Sequence, residues 1–100
     1  MTRGQKSKCE YIAEAYGVTN QEKQTVSELS ELLYVLTRRP DQREMDWKND
    51  LLGEIADVEI MCQQLLHLYA ITEDELYDRL NFKLNRQLDR IRGVDRKSVV

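Results

Sequence analysis

Apolar residues recur along this chain at three- and four-residue steps, in runs separated by short polar stretches. The run with the most apolar residues is Leu51–Leu66, LLGEIADVEIMCQQLL. In it Leu51, Leu52, Ile55, Val58, Met61, Cys62, Leu65 and Leu66 share one broad arc of a helix. A second run, Val26–Leu36, places Val26, Leu29, Leu32, Leu33 and Leu36 on one face. A third carries Leu76, Leu80, Leu84, Leu88 and Ile91, and a short first one carries Cys9, Ile12, Ala13 and Tyr16. Punctuation sets the boundaries. The first helix is expected over Gln5–Tyr16, after frayed residues 1–4, and Gly17 stops it. Thr19-x-x-Glu22 fits a capping box that opens the second helix, which runs to about Arg38 before Pro40. After the polar linker RRPDQ, Asp41-x-x-Glu44 is another candidate capping box and Asp46 a rival N-cap. The central helix continues to about Ala70. Thr72-x-x-Glu75 is the clearest cap, and the last helix ends near Gly93. The expectation is one all-α domain over residues 1–100, with its ordered core at about 5–92 and a polar tail at 93–100. Its architecture is a four-helix-type bundle: a short N-terminal helix and three longer ones, the middle two antiparallel, completed by homo-oligomerisation.

The carboxylates disturb this pattern. Glu54 falls near the middle of the long apolar arc and Asp57 on its margin. In the second helix Glu28 lies beside Leu32 and Glu31 beside Val35. Both pairs are spaced i, i+3, and both intrude on an apolar stripe. A buried, ionised carboxylate is costly unless a cation meets it, and no Lys or Arg occurs within 51–66. Two helices packed through these stripes would bring four negative charges together, where they repel. A hard divalent cation relieves that repulsion, and Mg²⁺ is the usual one beside phosphate. Arg79, Lys83, Arg86 and Arg90 line one flank of the last helix, an arrangement suited to a polyphosphate. The bland alternatives are a solvated acidic edge and a basic surface row paired with Asp78 and Asp89.

Composition narrows the field. A chain of 100 residues buries only about 60–65% of its extended surface, so self-association is a natural remedy. A net charge of −3 gives no indication of bulk nucleic-acid or anionic-membrane binding. The apolar runs are too short to span a membrane, and the start MTRGQKSK is not a signal peptide. Cys9 and Cys62 are expected to be reduced, in a cytoplasmic protein, with Cys62 a buried small hydrophobe. A single histidine, His67, leaves no Glu-x-x-His di-iron pattern and too few ligands for zinc. No glycine-rich phosphate loop is present.

Glu28-Leu-Ser-Glu31 and Glu54-Ile-Ala-Asp57, followed by Lys83 and downstream arginines, resemble the motifs of the MazG-like, all-α nucleoside triphosphate pyrophosphohydrolases. The likeness covers roughly Thr19 to Arg92. It implies Mg²⁺-dependent cleavage of a (d)NTP between its α and β phosphates, giving the monophosphate and pyrophosphate, in nucleotide-pool cleaning. It also implies a homodimer or homotetramer. Glu28, Glu31, Glu54 and Asp57 would be the metal ligands and catalytic carboxylates, with Mn²⁺ a substitute for Mg²⁺. Lys83 and Arg86 would meet the substrate's phosphates. The chain departs from many relatives at Ser27, where they carry another acid before the first motif. Gly53, just before Glu54, costs a helix about 1 kcal/mol relative to alanine.

Two further residues are weighed as base contacts: Gln24, one turn before Glu28, and Trp47, two turns before Glu54. For Trp47 the competing role is a core or dimer contact. The rival functions are a non-catalytic helical interaction module and a phosphoribosyl-ATP pyrophosphohydrolase. A DNA-binding regulator lacks both the charge and a helix-turn-helix signature.

Overall fold

The computed structural model describes residues 1–38 and 44–93, apart from the side chains of Glu44 and Met45. The described residues are helical, with no strand. The helices are α1 (Arg3–Tyr16), α2 (Val18–Thr37), α3 (Glu44–Leu68) and α4 (Glu73–Ile91). Pro40, the Asp41 capping box and residues 94–100 lie outside the described residues.

The helix starts differ from expectation, and each difference has a local cause. α1 begins two residues before Gln5, because Thr2-x-x-Gln5 is itself a capping box. The Thr2 hydroxyl accepts from the Gln5 N–H at 3.1 Å, and the Gln5 side chain accepts from the Thr2 N–H at 2.8 Å. Residues 3 and 4 are therefore helical rather than frayed. Gly17 does stop α1, with φ +86° and its N–H on the Ala13 carbonyl at 2.8 Å. Its own carbonyl then accepts from Gln21 at 3.1 Å, so α2 starts at once, at Val18. Thr19 falls inside the first turn and is not the cap, and Glu22 is engaged by the Tyr69 hydroxyl instead. Asp46 lies within α3 and is not its N-cap. α3 stops at Leu68, and Ala70 takes the left-handed conformation at φ 53°. The Thr72–Glu75 box forms as read: the hydroxyl accepts from the Glu75 N–H at 3.1 Å. Gly93 lies past the end of α4 at φ +75°.

The chain divides into two compact units, Met1–Ala70 and a second that begins at Ile71. In the first, α2 and α3 form an antiparallel pair and α1 packs on both. The pairing follows a 4-3-4-3 rhythm on each helix. Gln21, Thr25, Glu28, Leu32 and Val35 of α2 are wholly or partly buried. So are Trp47, Leu51, Glu54, Val58, Met61, Leu65 and Leu68 of α3. Gln64, on the flank of this seam, is the largest fully buried side chain among the described residues. Its Oε1 accepts from Gln21 Nε2 at 2.7 Å. Thr25 turns its hydroxyl back onto the Gln21 carbonyl at 2.6 Å. At the other end the Trp47 indole N–H donates to the Val35 carbonyl at 2.8 Å, which lies in the last turn of α2, where carbonyls lack helical partners. Arg38 and Asp50 close that end at 2.8 Å.

These bonds set the rotation of α2, and that rotation corrects the expected packing face. Leu32 and Val35 point inward, but Val26, Leu29, Leu33 and Leu36 are exposed, Leu33 by 62%. α1 and α3 cover one side of α2, and nothing else in the first unit reaches the other. On α3, Leu52 and Ile55 are likewise exposed. Cys62 is exposed rather than buried, whereas Cys9 is buried against Met1; both thiols are free. His67 pairs with Glu14 of α1 at 3.0 Å.

In the second unit, α4 carries no buried residue. Leu80, Leu84, Leu88 and Ile91 form an exposed stripe. Among the described residues, no helix is long and apolar enough to cross a membrane.

Candidate metal centre

The antiparallel α2–α3 pair faces Glu28 and Glu31 with Glu54 and Asp57. One oxygen of each lies within 4.8 Å of the others. The i, i+3 spacing gives both helices the same division of labour. Glu28 and Glu54 sit in the packed seam, half-buried, while Glu31 and Asp57 stand on its open edge. The four acids singled out by their pattern therefore do meet in space.

The electrostatics are unfavourable as they stand. Two carboxylates about 4 Å apart repel by about 4 kcal/mol at an effective dielectric near 20. Among the described residues, no lysine or arginine forms an ion pair with any of the four. Glu28 Oε2 and Glu54 Oε2 are buried from water and have no hydrogen-bond partner. Buried polar oxygens seldom remain unsatisfied. Burial, then the charge of Glu28 and a hydrogen bond with it, pushes the Asp57 carboxyl above the usual range. Every donor is a hard carboxylate oxygen, the set that suits Mg²⁺ or Mn²⁺ and suits zinc or copper less well. The residues present thus fit a divalent cation.

Gln24 lies on the exposed side of α2 and donates from Nε2 to Glu28 Oε1 at 2.8 Å. Trp47 is half-buried in the seam, with its indole N–H committed to Val35. Gly53 has open space where a Cβ would stand. Lys83 and Arg86 belong to α4, in the second unit. Lys83 is exposed, and the Arg86 guanidinium lies over the Phe82 ring at 5.9 Å, its Nε buried without a partner.

The polar layer beside the acids, Gln21, Thr25 and Gln64, went unread in the sequence. Its signal was present: Gln21, Thr25 and Glu28 continue the 4-3 rhythm of Leu32 and Val35 toward the N-terminus. A search for apolar stripes passes over it. No protein-family model matches the chain, no curated protein is significantly similar to it, and no solved structure matches it.

Proposed function

We propose that the protein is a Mg²⁺-dependent nucleoside triphosphate pyrophosphohydrolase that releases pyrophosphate from a (d)NTP. The observation that carries the reading is the four-carboxylate cluster with its two buried, unpartnered oxygens. Glu28 and Glu54 would hold the cation from the seam, and Glu31 and Asp57 from the open edge. Bound there, Mg²⁺ supplies positive charge to phosphate oxygens and acidifies a water. The chain's own contribution is placement. The packed seam fixes the backbones that carry the four acids, and a polyphosphate would approach from the exposed side of Glu31 and Asp57.

Lys83 and Arg86, members of the basic row of α4, are assigned to the phosphates on the strength of the resemblance. Gln24 and Trp47 would be the contacts to the base. The reading includes a homodimer or homotetramer. Its support is the exposed stripe Val26, Leu29, Leu33 and Leu36, an apolar face of a kind that soluble monomers rarely leave uncovered.

The test is pyrophosphate release from a panel of canonical, deoxy and modified nucleoside triphosphates, with Mg²⁺ and with EDTA. Metal-dependent release from at least one substrate is expected. A well-folded protein that releases none would redirect attention to the interaction module or to phosphoribosyl-ATP.

A further inference from the structure

Among the four acids, Glu28 alone accepts a hydrogen bond from a side-chain amide of the described residues, and that donor is Gln24. The two oxygens of Glu28 have different fates. Oε1 takes the Gln24 amide at 2.8 Å on the exposed side of the helix. Oε2 is buried and has no partner. A glutamate side chain has three rotatable torsions, and water competes for both oxygens. Without a tether the carboxylate could turn toward solvent and lower the repulsion it feels from Glu31, Glu54 and Asp57. A donor one turn earlier on the same helix face opposes that turn. The donor is also neutral. A lysine there would neutralise Glu28 and reduce its attraction for a cation, whereas an amide orients the carboxylate and leaves its charge intact.

We propose that Gln24 is a positioning residue of the metal centre, fixing Glu28 through Oε1 so that Oε2 is presented to the cation. This rests on the cation-binding reading above. Gln24 itself touches no cation and no reacting atom; it acts through Glu28, as outer hydrogen-bond partners of metal ligands do.

The experiment is a Mn²⁺ titration, followed by EPR, of the full chain as wild type, Gln24→Met, Gln24→Ala and Glu54→Gln, with thermal unfolding of each in EDTA. Wild type is expected to bind Mn²⁺ and Glu54→Gln to lose most of that binding. Both Gln24 variants should bind about tenfold more weakly or worse. Their unfolding temperatures in EDTA should be no lower than that of wild type, since Gln24 is exposed and its loss lets Glu28 relax away from the other acids. Gln24 variants that bind as wild type does would overturn the positioning role and leave the metal centre standing. So would weaker binding that only follows a loss of folded protein in EDTA. No Mn²⁺ binding by wild type would overturn the metal centre and this role together.

Discussion

The two sides of α2 invert the usual amphipathic helix. The side turned to α3 begins with Gln21, Thr25 and Glu28 and becomes apolar only at Leu32 and Val35. The side turned to solvent carries Val26, Leu29, Leu33 and Leu36. A helix placed by burial alone would rotate to hide the leucines, at about 25 cal/mol per Å² of apolar surface. Here the seam instead takes a glutamine pair and a carboxylate cluster. Satisfied amides hold such a seam without much penalty, but unpaired carboxylates do not. The inner side therefore carries the candidate site, and the outer side an apolar face left open to solvent.

The largest effect should come from the seam between the inner side of α2 and α3. Glu54→Gln removes one of the buried, unpartnered oxygens' charges. Pyrophosphate release should fall by about a hundredfold or more, the scale on which single electrostatic groups act in catalysis. The same substitution should raise the unfolding temperature in EDTA, because it relieves repulsion among the four acids. Opposite movements of activity and stability distinguish a site residue from a packing residue, which would lose both.

The next effect tests the outer side. Leu29 and Leu33 are one turn apart and exposed. On the proposed self-association, a double change, Leu29→Glu with Leu33→Glu, should sediment as a monomer where wild type sediments as a dimer or tetramer. Burying a leucine is worth about 1.5–3 kcal/mol, so association should weaken by at least about a hundredfold. The unfolding temperature of wild type should rise with protein concentration, and that of the double variant should not. An unchanged mass in the variant would assign the stripe to some other role.

A smaller effect sharpens the difference between amides and acids within the seam. Gln64→Leu strands the Gln21 amide, buried at 5% exposure, and should cost about 1–3 kcal/mol. For a domain of this size that lowers the unfolding temperature by several degrees. Adding Gln21→Leu should recover most of the loss, since both polar partners are then gone. A double variant no better than the single one would mean that the pair does more than satisfy itself.

Much of this was legible in the sequence, for identifiable reasons. The helices announced themselves because apolar periodicity and caps agree, as at Thr72–Glu75 and Gly17. The four acids were legible because a carboxylate on an apolar stripe is expensive and therefore conspicuous. The rotation of α2 was not legible. Leu32 and Leu33 are neighbours that serve opposite sides, and an apolar stripe does not say whether it faces its own chain or another surface. Only the partners of Gln21 and Trp47, far away in sequence, fix which side turns inward. Cys62 was misplaced for the same reason, as it shares the outward arc of Leu52 and Ile55.

The smallest effect is a pH dependence, and its sign separates the two sides of α2, because the outer leucines have no charge to titrate. The Asp57 carboxyl is held above its ordinary value by burial, and then by Glu28. The folded protein therefore binds a proton at Asp57 over a pH range in which the unfolded chain has released it. Stability changes with pH in proportion to the protons bound unfolded minus those bound folded. For Asp57 that difference is negative between the ordinary carboxylate value and the raised one. Its contribution is thus most favourable below the unfolded value and is lost as pH rises through the folded one. In EDTA, wild type should lose stability across that window relative to Asp57→Asn, which lacks the group. The comparison cancels the other carboxylates as far as they are uncoupled from Asp57. With Mg²⁺ present the order should reverse at neutral pH, because a cation favours the ionised cluster and the asparagine variant binds it less well. Parallel stability curves for the two proteins in EDTA would show that Asp57 is solvated like any surface acid. The strain assigned to the seam between α2 and α3 would then fall on Glu28 and Glu54 alone.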